Sequence, residues 1–457
     1  MKKNIICIIL VFMILLLVGC KKENINNENG NNNGDKLPTE ETNRPDYSNS
    51  LKVLAIGNSF SEDGMKYLWH IADEYSIEEV VIAILFIGGS SLEMHLNNIK
   101  NSAPLYTYYK ITDGEWIFEE NYTINDGLND EKWDIISLQQ VSGNSGIYST
   151  IKEPMEKIVS YIKENNSNGD LEIVYHMTWA YENTSTHADF VKYNNDQEEM
   201  YKSIVEITRN NIENDENIDL IIPTGTAIQN ARTSFVGDNL TRDGFHLSYD
   251  LGRLTTAYTW FKALTGFKID NLQYKPDFMY TKLVDIAKES ANNAINESYK
   301  VTESKYNEPF EINLENYELL ELKYVSGFWT ATQSQPNTIH KNTELAKTFL
   351  TQNDKIHRYD LPPGSLIILE QGYQYRINYW SSIASKSDLN SISLNLDYTI
   401  LEVDEKWWED YLYVAFNISV KGTSTDLTEK VDEASNIFKI YVPIKWEVTK
   451  WKYIKIK

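Results

Sequence analysis

The chain has 457 residues, more than one hydrophobic core ordinarily organises, so two folded domains are expected. Its net charge of −23 argues against binding nucleic acid through clustered Lys and Arg and disfavours a polyphosphate ligand, whereas a neutral partner such as carbohydrate is compatible with it. Its cysteines, Cys7 and Cys20, both lie at the N-terminus, so the remaining chain has no thiol for a disulfide, a nucleophile or a thiolate metal site.

The N-terminus, MKKNIICIILVFMILLLVGC, is a basic tip followed by an apolar run that stops at Leu17-Val18-Gly19-Cys20 and gives way to Lys21-Lys22. It resembles a bacterial lipoprotein signal with its lipobox, and the run is short for a transmembrane anchor. The resemblance implies that 1–20 is a signal peptide and that Cys20 begins the mature chain and carries the lipid. The protein would then be exported and held on a bacterial membrane, at the cell surface or in the periplasm. Residues 21–50 contain almost no apolar side chains. They cannot bury enough surface to offset chain entropy and are expected to form a disordered tether.

From Leu51 the texture changes to short apolar runs alternating with helical stretches: KVLAIG (52–57), VVIAILF (80–86), WDIISL (133–138), LEIVYHM (171–177) and IDLIIP (218–223). Between the first two, Met65, Leu68, Trp69, Ile71 and Ala72 recur at helical spacing. Continuous apolar runs suit strands covered on both faces, so 51–300 is expected to be an α/β domain with a doubly wound parallel sheet. A helical pattern after Leu251 ends at Gly266, a suitable stop, and a further helix is expected over 281–300. From 301 to 457 short alternating segments such as SLIILEQ, YQYRINYW and YLYVAFNISV are separated by turn residues, the pattern of an antiparallel β-sandwich. That part is rich in aromatics, including Trp329, Tyr373, Tyr375, Tyr379, Trp380, Trp407, Trp408, Trp446 and Trp451. Aromatics at strand positions are expected mainly in the core, and an exposed row of them would instead favour stacking on sugar rings.

In an open parallel sheet, ligands bind beyond the carboxyl ends of the strands. Small and polar groups collect there: Gly57-Asn58-Ser59-Phe60-Ser61 after the first run, Gly88-Gly89-Ser90-Ser91 after the second, Gln139-Gln140 after the third, His176 on the fourth and Pro223-Thr224-Gly225-Thr226 after the fifth. Downstream, TRDGFHLS (241–248) places Asp243 and His246 three apart, just before the helix that ends at Gly266. A serine hydroxyl becomes nucleophilic when a neutral imidazole takes its proton, and the imidazole needs a carboxylate to hold its tautomer and stabilise its cation. One short loop supplies both partners if it faces Ser59. The other five histidines, apart from His176, have no metal-ligand spacing, and the Asp243–His246 pair is too sparse for zinc. No metal or cofactor is expected.

These blocks resemble the SGNH or GDSL hydrolase superfamily. Gly57-Asn58-Ser59-Phe60-Ser61 matches its first block, Ile87-Gly88-Gly89-Ser90 its glycine block and Asp243-Gly244-Phe245-His246 its closing Asp-x-x-His block. The resemblance spans about Leu51 to Gly266 and implies a flavodoxin-like fold and a Ser59–His246–Asp243 triad acting on esters. It also implies an oxyanion hole formed by the N–H groups of Ser59 and Gly89 and a side-chain amide. The family's third block, Gly-x-Asn-Asp, is replaced here by Gln139-Gln140-Val141-Ser142-Gly143-Asn144. Gln140 is the expected amide donor, with Gln139 and Asn144 as alternatives. Asn58, Gln139, His176, Trp179, Asn230 and Arg232 are candidate substrate contacts, and structural roles for His176, Asn230 and Arg232 stay open. The expected function is a surface-anchored esterase that removes acyl groups such as acetyl from extracellular carbohydrate. The alternatives are a glycan-binding lipoprotein without turnover and a lipase-like esterase. A neutral imidazole base predicts activity that declines on the acid side of about pH 6 to 7.

Overall fold

The apolar runs form a seven-stranded sheet in a computed structural model of the chain. The structure describes residues 44–444 except 167, 278, 330–337, 342, 371, 381–388, 397–399, 406–407, 409–411 and 421–422. The signal sequence, Cys20, most of the tether, Trp407, Trp446 and Trp451 lie outside the described residues. All five expected strands form: β1 (Ser50–Gly57) and β2 (Glu79–Phe86) over the whole of their apolar runs, and β5 (Ile135–Leu138), β6 (Glu172–His176) and β7 (Leu220–Ile222) over part of theirs. The sequence reading omitted the hairpin of β3 (Tyr106–Ile111) and β4 (Ile117–Tyr122). The sheet order is β4-β3-β2-β1-β5-β6-β7. β1 pairs in parallel with β2 and β5, β5 with β6 and β6 with β7, while β3 runs antiparallel to both β2 and β4. The parallel order reverses between β2-β1 and β1-β5, so the edge beyond β1 and β5 is where such a sheet opens a ligand crevice.

Helices cover both faces, which is why the strands are apolar throughout rather than alternating. On one side lie α1 (Ser59–Met65), α2 (Leu68–Glu74), α7 (Thr224–Arg232), α8 (Leu251–Thr265) and α9 (Leu283–Asn296). On the other lie α3 (Leu92–Asn101), α4 (Ile124–Asp130) and α5 (Lys152–Asn165); α6 (Gln197–Ile207) follows β6. Every residue of α8 is buried, Arg253 and Lys262 included. It ends at Gly266, whose φ of 70° is the left-handed cap that glycine adopts without strain.

The segment entering β1 is clamped at the amino edge of the sheet. Arg44 donates two bonds to the carboxylate of Glu172, the first residue of β6, at 2.9 and 2.6 Å, and a third to Leu264 O at 2.9 Å. Tyr47 Oη donates to the same carboxylate at 2.6 Å.

Beyond α9 the described chain forms separate antiparallel sheets. The larger is built on strands Tyr373–Trp380 and Tyr413–Val420, and a four-stranded one on Leu366–Leu369 and Phe438–Pro443. Tyr375 and Phe416 of the first sheet pack on Phe438 of the second, with ring centroids 6.4 and 5.1 Å apart. Trp329, Tyr375 and Trp380 are buried, as strand aromatics in a core should be, and Trp408, outside the strands, is buried too. This part meets the α/β part through a bridge between Met279 and Leu401 and through Thr281, whose N–H and hydroxyl both donate to Glu402. Among the described residues no helix is long and apolar enough to cross a membrane.

Candidate active site

Ser59 is the first residue of α1, directly after β1. Asn58, not Ser59, caps the helix: Asn58 Oδ1 accepts from Phe60 N at 2.9 Å, and its carbonyl accepts from the N–H groups of Ser61 and Glu62. The Ser59 side chain is therefore free of capping duty. Its hydroxyl donates to His246 Nε2 at 2.8 Å, and His246 Nδ1 donates to Asp243 Oδ2 at 2.6 Å. Asp243 Oδ1 accepts the N–H of His246 at 2.8 Å and that of Phe245 at 3.3 Å. Burial pushes the Asp243 carboxyl up, but the bonds from the His246 ring, the His246 N–H and the Phe245 N–H outweigh it and hold the group below the usual carboxylate range. The carboxylate thus stays charged opposite the imidazole.

The loop that carries this pair is fastened on several sides. Gly244 has φ of 91°, where an added Cβ would also meet Ser185 at 3.0 Å. Gly244 O accepts from Glu182 N at 2.9 Å, and Phe245 O accepts from Trp179 Nε1 at 2.8 Å. Trp179 in turn stacks on Phe60 with centroids 4.3 Å apart. Below lies Asp63, one turn beyond Ser59 and fully buried. Its carboxylate accepts from Leu247 N (2.9 Å), Arg242 Nη1 (3.0 Å) and Arg253 Nε (2.8 Å) and Nη2 (2.5 Å). The helix that carries the serine therefore holds the loop that carries the histidine. Sequence reasoning did not single out Asp63, since an acid beside Gly64 reads as a turn residue.

Ser59, Gly89, His246, Asn58, Phe60, Gly88, Val141, Ser142, His187 and Phe245 line an open cavity of about 290 Å³. The N–H of Ser59 heads its helix and has no intrahelical partner. Gly89, at φ 65°, turns the second loop across the same cavity with nothing within 4 Å of where a Cβ would stand. His187 was noted in the sequence only as lacking metal spacing. Its Nδ1 accepts from Asp189 N at 3.2 Å, which leaves the ring proton on Nε2, and the ring lies against Phe245 with centroids 4.7 Å apart.

The expected amide donor is corrected. Gln140 Nε2 donates to Thr150 O (2.8 Å) and Oγ1 (3.1 Å), while its Oε1 accepts from Leu92 N and Val141 N. Gln139 is equally committed: Nε2 donates to Asn58 Oδ1 at 2.8 Å, and Oε1 accepts from Ser61 Oγ and His176 Nδ1. Asn144 Oδ1 accepts from Lys192 Nζ. None of the three lines the cavity. Four proposed substrate contacts also prove to be framework. Trp179 and His176 are fully buried. Asn230 joins Ser290 O and Thr302 N, and Arg232 pairs with Asp238 at 2.8 Å and donates to Ala180 O at 3.0 Å. Asn58 is buried too, but it belongs to the cavity wall.

Two buried histidines brace the loops from beneath. His95 Nε2 donates to Ser90 Oγ (3.0 Å), which donates to Gly57 O (3.1 Å), and His95 Nδ1 accepts from Tyr106 Oη (2.8 Å). His176 Nδ1 donates to Gln139 Oε1 (2.9 Å), and its Nε2 lies 2.7 Å from Thr224 Oγ1. Burial lowers their pKa values to about 4 and about 3. On unfolding both rings regain an ordinary value near 6.5, so the unfolded chain takes up protons that the fold refuses. Their contribution is intact above about pH 6.5 and is lost as pH falls toward 4, at about 1.4 kcal/mol per pH unit per ring. Urea midpoints should fall steeply between pH 6.5 and 4.5, and less steeply in His95→Gln; an equal slope in both proteins would count against this account.

A mixed α/β protein with a hydroxyl, an imidazole and a carboxylate joined in line beyond the carboxyl edge of its central sheet is the class that fold and site define. Residues 52–294 match the family described as a domain of unknown function, DUF4886, and the chain belongs to that family. A DUF4886 family protein of known crystal structure from Bacteroides uniformis is 44% identical, with a TM-score of 0.54 over 56% of this chain and 99% of its own. A Slackia heliotrinireducens protein described as "a putative SGNH hydrolase" is 18% identical over 47% of this chain and 100% of its own, with a TM-score of 0.31. LAE5, an alpha/beta hydrolase from the metagenome of Lake Arreo, Spain, is 10% identical over 48% of this chain and 97% of its own, with a TM-score of 0.30. No curated protein matches the chain. Among the described residues no group of three or more His, Cys, Asp or Glu side chains is arranged to hold a metal ion.

Proposed function

We propose that the protein is a serine hydrolase of the SGNH type that cleaves small acyl groups, acetyl foremost, from carbohydrate outside the cell. The observation that carries this reading is the unbroken line from Ser59 Oγ through His246 to Asp243, at 2.8 and 2.6 Å. Ser59 Oγ attacks the ester carbonyl as His246 Nε2 takes its proton. The N–H groups of Ser59 and Gly89 receive the oxyanion, and His246 returns the proton to the leaving alcohol. Water, deprotonated by the same imidazole, then releases the acid. A cavity of about 290 Å³ is at the small end for ligand sites and favours a short acyl chain.

The finer parts of the reading rest on sequence. Export and lipid attachment at Cys20 follow from the lipobox resemblance, and the carbohydrate preference from export and from the sheets after α9, read as a β-sandwich accessory domain. The end of the family match at 294 supports a division near residue 300. Hydrolysis of nitrophenyl acetate, butyrate and octanoate and acetate release from acetylated glycans test the proposal. The expected order is acetate over butyrate over octanoate; preference for octanoate would make the enzyme lipase-like, and no turnover of any ester would remove the hydrolase reading.

A further inference from the structure

The framework roles of Gln139 and Gln140 leave the third oxyanion donor unfilled, and the same loop offers another group. Ser142 opens the 3₁₀ turn Ser142–Asn144 and lines the cavity with Ser59 and Gly89. Its carbonyl is occupied by the N–H and hydroxyl of Ser145, at 3.2 and 2.7 Å. Its hydroxyl lies 2.8 Å from Tyr181 Oη, and both residues are buried. A phenol is the stronger donor and weaker acceptor of the two, and burial raises the Tyr181 pKa, so it keeps its proton. Tyr181 therefore donates to Ser142 Oγ. Occupied as an acceptor on its buried side, that hydroxyl has its own hydrogen left to give, and the side that remains open is the cavity.

Resting on the hydrolase reading above, we propose that the Ser142 hydroxyl is the third oxyanion donor, with Tyr181 as the positioning residue that keeps it turned toward the reacting carbonyl. No proton is transferred: the hydroxyl only donates a hydrogen bond, which shortens as negative charge grows on the carbonyl oxygen. Such a donor acts on the transition state more than on the bound ester. Its loss should appear in kcat and not in KM.

The test compares nitrophenyl acetate hydrolysis by wild type, Ser59→Ala, Ser142→Ala, Ser142→Thr and Tyr181→Phe, with thermal melts as a check on folding. Expected results are a fall in kcat of about 10²-fold for Ser142→Ala at nearly constant KM, recovery of most of the loss in Ser142→Thr, and a smaller fall in Tyr181→Phe. Inhibition by a boronic acid that mimics the tetrahedral adduct should weaken in step with kcat/KM, which a purely structural role would not produce. Full kcat in Ser142→Ala beside an inactive Ser59→Ala overturns the donor assignment and leaves the hydrolase standing. Equal rates for wild type and Ser59→Ala overturn both.

Discussion

Ser59→Ala is expected to lower kcat for nitrophenyl acetate by a factor on the order of 10⁶, as removal of a triad nucleophile does elsewhere, while leaving the fold as it is. The second half of that expectation comes from the local structure. The start of α1 is held by the side chain and carbonyl of Asn58, and the Ser59 hydroxyl bonds to His246. Alanine therefore removes a reactive group without removing a cap. Asp243→Asn should keep the loop but present the wrong partner to the ring, for a loss of roughly 10⁴-fold. Melting temperature and kcat measured on the same preparations separate these effects; a Ser59→Ala protein that still turns over ester at the wild-type rate contradicts the assignment.

Asp63→Ala should be the most destabilising single change near the site. The carboxylate is inaccessible and satisfies two guanidinium groups and the Leu247 N–H. Alanine would leave those donors facing an apolar gap, with Glu62, 4.0 Å from Arg253, as a distant substitute. Removing one partner of a buried ion pair typically costs about 3 to 5 kcal/mol. Because Arg242 also donates to Leu247 O, the loop holding Asp243 and His246 loses its floor, and kcat should drop along with stability. Asp63→Asn, which keeps an acceptor oxygen, should be milder on both counts. Urea unfolding read beside kcat checks this, and a stable, fully active Asp63→Ala protein would refute it.

Those two residues mark the limits of what the sequence discloses. Ser59, Asp243 and His246 were legible because each sits in a short block with a chemical reason for its residue types, and the strands because burial on both faces makes them continuous apolar runs. The hairpin Tyr106–Tyr122 was missed although its Asp113-Gly114 turn was visible, since its exposed strand Ile117–Tyr122 carries almost no apolar alternation. The two glutamines were misplaced for a geometric reason. Neighbouring residues at a strand end point to opposite faces, so Gln139 turns toward His176 and Gln140 toward Thr150. Neither looks over the edge where the cavity lies. Asp63 gave no local signal, because its partners are almost two hundred positions away.

The clamp of Arg44 and Tyr47 on Glu172 has a consequence for approach. It fixes the entering chain at the rim where the strands begin, whereas Ser59 and His246 stand past the rim where they finish, roughly 25 Å away along the eight residues of β1. A ligand entering the cavity lined by Ser59, Gly89 and His246 therefore does not meet the Arg44 segment.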